Sequence, residues 1–260
     1  MKKIIIAGYG FVGKAVLNTL KSNYNCIVVD PKYTNTEISH HPDADGIIIC
    51  VGTPTTEDGV CDVSSIASVL DSVPTTIPVL IKSTVIPSTL VELENSYSEH
   101  SIVYSPEFLR AKTADFDFAN QTSVILGGED LNGFWHELFI PVLPKCKMYF
   151  KCSTIEAATI KYTVNSFLAT KVAFFNSIFD LCQQNGSDYD IIRQIITHDP
   201  RIGNSHTLVP GVDGERGFGG HCFPKDTQAF IKYANGLNTP LDILETAVEY
   251  NKKVRKVLDL

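Results

Sequence analysis

A chain of 260 residues with 44% hydrophobic and 20% charged residues has length enough for one large folded core or two smaller ones, and its composition is that of an ordinary globular protein. A formal net charge of −7 argues against a surface for nucleic acid or anionic membrane, so an anionic substrate would have to be met by local positive charge. The seven cysteines are odd in number and scattered without metal-ligand spacing, which predicts reduced thiols in a cytoplasm and no metal site.

In chain order, Lys3 to Ala7 is a short β-branched run suited to a strand buried on both faces of a parallel sheet. Its apolar stretch is too short for a signal-peptide core. Gly8-Tyr9-Gly10-Phe11-Val12-Gly13 follows at once, and Val12, Val16, Leu17 and Leu20 recur at helical spacing. A second strand, Cys26 to Val29, ends in Asp30. A GxGxxG turn between strand and helix, with an acidic residue closing the next strand, is the pattern of dinucleotide binding. Gly8, Gly10 and Gly13 permit the tight turn and a close approach of the pyrophosphate to the helix N-terminus at Phe11 and Val12, and Asp30 can accept from a ribose diol. Asp30 favours NAD over NADP because it repels a 2′-phosphate; Lys32 nearby leaves NADP open.

Further strands are predicted over 46–51, 79–81, 102–104 and 123–126. All but the last run into polar turns, Gly52-Thr53-Pro54, Lys82-Ser83-Thr84 and Ser105-Pro106-Glu107. In open α/β sheets such strand ends converge on the ligand, although ordinary turn chemistry also explains them. From Thr154 to Cys182 a long helix is predicted, apolar on nearly every face and interrupted too often by polar residues to span a membrane. Lys161 and Asn165, four apart, share one of its faces, as a structural pair or as part of a site. A shorter helix is expected over 190–197, then the loop Asp199-Pro200-Arg201-Ile202-Gly203, and a helix pair from Thr227 to the end. The expected division is a Rossmann-type doubly wound parallel sheet over 1–150 and a helical unit over 151–260.

Between loop and helix pair stands Gly217-Phe218-Gly219-Gly220-His221-Cys222-Phe223-Pro224-Lys225-Asp226. A thiol presented where a helix begins can be held as thiolate by the helix dipole, with Asp226 one turn on. On that reading Cys222 is a nucleophile; the alternative is a glycine-rich loop carrying a buried, inert cysteine.

The ordered set GYGFVG, CVGTP, KSTV, SPEFLR, KYTVNSFLA, DPRIGNS and GFGGHCFPKD resembles the UDP-glucose 6-dehydrogenase family of nucleotide-sugar dehydrogenases over nearly the whole chain. The resemblance implies oxidation of a primary alcohol to a carboxylate with two NAD+, through a thiohemiacetal and a thioester on Cys222. It assigns oxyanion stabilisation to Lys161 and Asn165, and proton or water handling to Glu107, Asp226 and Thr84. Thr53, Pro54, Thr84 and Lys225 are implied beside the cofactor. Glu107, Phe108, Leu109, Lys161, Asn165, Phe218, Gly219, Gly220 and Arg201 are implied at the sugar nucleotide, Arg201 reaching it across a homodimer whose helical unit is the dimerisation domain. UDP-glucose is the leading substrate; GDP-mannose or a UDP-N-acetyl sugar, and a non-catalytic NAD-binding remnant, are the alternatives. Family members usually continue into a third domain, which this sequence is expected to lack, and Ala111 stands where many relatives carry a glutamate.

Overall fold

The computed structural model describes residues 1–54, 56, 61–220 and 222–255. His221 of the cysteine motif and the last residues of the final predicted helix lie outside the described residues. The chain forms two compact units, Met1–Lys161 and Tyr162–Leu260.

The first unit is built on a seven-stranded sheet: β1 (Lys3–Ala7), β2 (Asn25–Val29), β3 (Gly46–Ile49), β4 (Val79–Ile81), β5 (Ile102–Tyr104), β6 (Ser123–Gly127) and β7 (Met148–Cys152), in the order β2-β1-β3-β4-β5-β6-β7. Period-two alternation sorts the side chains by face. Ile5, Ile47, Ile49, Val79, Ile81 and Tyr104 enter one core with Ile66 and Leu70 of α2 (Ser64–Ser72) and Leu90 and Leu93 of α3 (Pro87–Ser96). Ile4, Ile6, Ile48, Leu80, Val103 and Leu126 enter the opposite core. They pack there with Ala15, Val16 and Leu20 of α1 (Phe11–Leu20), Phe118 of α4 (Ala114–Ala119), and Trp135, Leu138 and Phe139 of α5 (Phe134–Phe139). Helices thus cover both faces, as the unbroken apolar strands require.

Two features depart from a purely parallel sheet read off the sequence. β6 meets β5 antiparallel, through the pair Tyr104 and Gly127, and β7 is an additional strand at the edge, parallel to β6. The strand predicted over 46–51 stops at Ile49, because Cys50 and Val51 already turn toward the next segment.

A single helix, α6 (Thr154–Asn185), runs from the first unit into the second, so the division between units falls inside it. The second unit adds α7 (Tyr189–Ile196), α8 (Phe223–Gly236) and α9 (Asp242–Val254). Asp188 caps α7, its side chain accepting from the amides of Asp190 and Ile191. Ala169 and Ala173 of α6 pack with Phe218 and with Ala247 of α9, and Phe175 and Cys182 pack with Tyr189 and Val209. The expected helix start at Thr227 is four residues late. Pro224 sits in the first turn of α8, where its missing N–H leaves no intrahelical bond unmade.

Candidate active site

The glycine turn lies between β1 and α1. Gly8 has a φ of +95°, and a Cβ on Gly13 would land on the Gly8 carbonyl oxygen, so both positions require glycine. Gly10 has open space around it, and no side chain caps α1, whose first amides, at Phe11, Val12 and Gly13, are left for an anion. Phe11 is exposed and Val12 packs partly against the core. Beside the turn opens a cavity of about 480 Å³, lined by Tyr9, Phe11, Lys14, Lys112 and Phe116 among others. At the end of β2 the two Asp30 carboxylate oxygens accept from the amides of Tyr9 at 2.7 Å and Lys32 at 2.9 Å. That fixes the carboxylate at the turn with lone pairs remaining for a ribose diol. An uncapped helix start, an uncrowded Gly10 and an anchored acidic group fit a dinucleotide.

At the carboxyl end of the sheet Thr53 is buried, its Oγ1 donating to the Thr84 carbonyl at 2.9 Å, while Pro54 is exposed. Glu107 lies in the turn after β5. Its Oε1 accepts from the amides of Phe108 and Leu109 at 2.9 and 3.2 Å, and its Oε2 accepts from Lys82 Nζ at 3.1 Å. The Glu107 carbonyl oxygen accepts from the ammonium of Lys161, a buried residue that also lies 5.1 Å from the centroid of the Phe108 ring. The structure therefore brings Glu107, Phe108 and Lys161 together, and adds Lys82. A lysine directly after an apolar strand is the only trace of that pairing in the sequence. Ala111 begins the short turn before α4 and lines the cavity at the glycine turn.

In the second unit Cys222 is the N-cap residue of α8 and is exposed, which answers the buried-cysteine alternative. No side chain caps this helix either, so the thiol sits at the positive end of the dipole. One turn on, Asp226 is buried, its amide donating to the Cys222 carbonyl at 2.8 Å. Asn165 Nδ2 donates to Asp226 Oδ2 at 2.6 Å, and Lys225 Nζ lies 2.7 Å from Oδ1. Asn165 of α6 thus joins Asp226 and the half-buried Lys225 of α8 in one polar group at the first turn of the cysteine's helix.

The loop before Cys222 is held by residues with no forward signal in the sequence. Asn251 of α9 accepts from the Phe218 amide at 2.7 Å and donates to its carbonyl at 3.0 Å, and Asn176 of α6 accepts from the Gly217 amide at 3.1 Å. Gly217 has a φ of +69° and faces Asn251 so closely that a Cβ would overlap the amide oxygen. The Phe218 side chain itself is core, whereas Gly219 is half-buried and Gly220 is exposed. Arg201 is remote from these groups in its bonding: its side chain is 87% exposed and pairs with Asp199 at 2.5 Å.

A sheet wound with helices on both faces, a glycine turn and an acidic strand end define a dinucleotide-binding domain; the helical unit adds a cysteine at a helix start. Comparison with known proteins agrees. Residues 32–137 match the NAD binding domain, and residues 155–253 the central domain, of the UDP-glucose/GDP-mannose dehydrogenase family. The chain belongs to that family, and NAD is its cofactor. It is 31% identical over 229 residues to UDP-glucose 6-dehydrogenase YwqF of Bacillus subtilis, covering 83% of this chain and 50% of the relative. It is 33% identical over 232 residues to UDP-glucose 6-dehydrogenase of Rhizobium meliloti, covering 83% and 52%. The chain therefore spans about half the length of the curated relatives it matches. The solved UDP-glucose dehydrogenase of Pyrobaculum islandicum shares the fold with a TM-score of 0.83 at 23% identity, over 97% of this chain and 68% of that one. Among the described residues no helix is long and apolar enough to cross a membrane.

Proposed function

We propose that the chain oxidises the C6 alcohol of UDP-glucose to the carboxylate of UDP-glucuronate in the cytoplasm, by way of a thioester on Cys222. The observation that carries this reading is the exposed Cys222 thiol at the uncapped start of α8, with the buried pair of Asp226 and Asn165 one turn beneath it. The named UDP-glucose 6-dehydrogenases among its relatives support the choice of sugar.

Bound NAD+ supplies the hydride acceptor, two equivalents for each sugar. Once the alcohol has lost a hydride and a proton, Cys222 Sγ adds to C6 of the aldehyde and retains it as a thiohemiacetal, which prevents escape of a reactive product. Loss of a second hydride from C6, with the proton of its hydroxyl, leaves the thioester, and water then cleaves the S–C6 bond to give the carboxylate and the free thiol. Lys161 and Asn165 donate to the oxygen on C6 as charge develops there. Asn165 has one amide proton beyond that given to Asp226. Glu107 takes a proton from the attacking water, and Asp226 and Thr84 belong to the same proton network. Lys225, Thr53, Pro54 and Thr84 are assigned to the cofactor side, and Phe108, Leu109, Phe218, Gly219, Gly220 and Arg201 to the sugar nucleotide.

The reading includes a homodimer. Along α6, Phe167, Phe174 and Leu181 follow one another at seven-residue spacing and are 65%, 58% and 56% exposed, an apolar stripe of the kind a second copy of the same helix covers. A second subunit would also give the exposed Arg201 a substrate to reach.

The test is the NADH formed per sugar with purified protein, NAD+ and a panel of UDP-glucose, GDP-mannose and UDP-N-acetyl sugars. Two NADH for each UDP-glucose, with acid formation abolished in Cys222→Ser, is the expected result. Full acid production by Cys222→Ser refutes the covalent route, and two NADH from another sugar alone replaces the substrate.

A further inference from the structure

One buried lysine in the first unit, Lys82, is given no part in that chemistry and yet pairs with Glu107. Lys82 is the first residue after β4 and Ser105 the first after β5, and the pairing of Ile81 with Tyr104 sets them side by side at the carboxyl ends of adjacent strands. The Lys82 side chain is 2% exposed, and its ammonium donates to Glu107 Oε2 at 3.1 Å, the Ser105 carbonyl at 3.3 Å and Ser105 Oγ at 3.4 Å. The rings of Phe118 and Phe139 stand 5.3 and 5.9 Å from it. An ammonium has three protons, so none is left over. A buried cation needs a counter-ion, and Glu107, 9% exposed, is the one it has.

The restraint acts in both directions. With Oε1 on two amides and Oε2 on Lys82, the Glu107 carboxylate has a single orientation available. The same residue's carbonyl oxygen receives the Lys161 ammonium, so whatever fixes Glu107 also fixes a landing point for Lys161. Two lysines from different elements thus grip opposite ends of one residue. Replacing a whole buried ion pair by apolar residues of similar volume is often neutral or stabilising, so packing alone does not call for Lys82 and Glu107 here. The charge serves something other than packing.

We propose that Lys82 is a positioning residue for Glu107: it holds the carboxylate in the one orientation from which Glu107 accepts the proton of the hydrolytic water, and steadies the carbonyl that seats Lys161. This rests on the role given to Glu107 above. With its three protons given to Glu107 and Ser105, Lys82 acts through its ion pair.

The experiment compares Lys82→Met, Lys82→Arg, Glu107→Gln and the Lys82→Met/Glu107→Gln double variant in the full chain. Mass spectrometry of quenched reactions with NAD+ and UDP-glucose follows the acyl group on Cys222. In Lys82→Met the acyl-enzyme accumulates and its hydrolysis slows on the order of 100-fold, within the range of a general acid–base group, while the NAD dissociation constant is unchanged. Lys82→Arg recovers most of the rate, and the double variant falls no further than Glu107→Gln alone. A crystal structure of Lys82→Met gives a readout independent of turnover: the Glu107 carboxylate leaves the amides of Phe108 and Leu109. Lys82→Gln, which keeps a donor without charge, takes its place if the methionine variant does not fold. Glu107 unmoved in that structure, or losses that multiply in the double variant, overturns the proposal. If the wild-type chain turns over no sugar, the functional reading fails, and the position of Glu107 in the variant still decides the role of Lys82.

Discussion

Replacing Asn251 by alanine removes two hydrogen bonds from the cysteine loop at once. The Phe218 amide loses an acceptor at 2.7 Å and its carbonyl loses a donor at 3.0 Å, and the residue is only 4% exposed. A buried backbone group left without a partner costs about 1–3 kcal/mol, and water admitted to the space of the lost amide recovers part of it, so the net loss is about 2–4 kcal/mol. Asn176 still holds the Gly217 amide, which confines the damage to the segment after it. Urea unfolding measures the stability change, and amide hydrogen exchange locates it. The peptide carrying Phe218 exchanges faster in the variant, while peptides from β1 and β3 keep their protection. Stability within about 0.5 kcal/mol of the parent, the range of an ordinary surface substitution, together with unchanged exchange, would refute the claim that Asn251 holds this loop.

Three further outcomes are expected. Gly13→Ala puts a methyl group onto the Gly8 carbonyl, a backbone atom held by the Gly8 amide bond to Val29 at 2.9 Å, and NAD binding measured by calorimetry is lost. Phe174→Asp places a charge in the α6 stripe and turns the proposed dimer into a monomer in sedimentation velocity; a monomeric parent, or an unchanged sedimentation coefficient, would remove the stripe as the interface. Burial pushes the Cys50 thiol up to about 12 and the Cys26 thiol up to about 11, from an ordinary 9.0. The folded chain then keeps both protons to higher pH than the unfolded chain does. The stability they contribute is whole below pH 9 and declines as pH rises toward 11 and 12, a slope that Cys50→Ala reduces in pH-dependent urea titrations.

Much of the first unit was legible because its signals are local. A β-branched run, a glycine turn and an acidic strand end stand within thirty residues of one another, and each implies its own geometry. β7 escaped notice because Met148 and Phe150 remain exposed at the sheet's edge, so it shows no clean alternation of buried and exposed side chains. The reversal of β6 could not be read, since a strand's sequence does not state its direction. In the second unit, Pro224 disguised the start of α8 by looking like a break where it is an accepted first-turn residue. The bonds of Asn251 to Phe218 join positions 33 apart, and those of Lys82 to Glu107 positions 25 apart; no periodicity encodes such meetings.

The anchoring of the cysteine loop also sets an order of assembly. Its two asparagine supports come from α6 and α9, which bracket the loop in the chain by 41 residues on one side and 33 on the other. The Asn176 support needs α6 to meet the loop and the Asn251 support needs α9 as well, and closing such distant contacts is slower than forming any single helix. The loop is therefore fully held only once α9 has joined the unit, and before that the segment leading to Cys222 has at most the Asn176 support of the two.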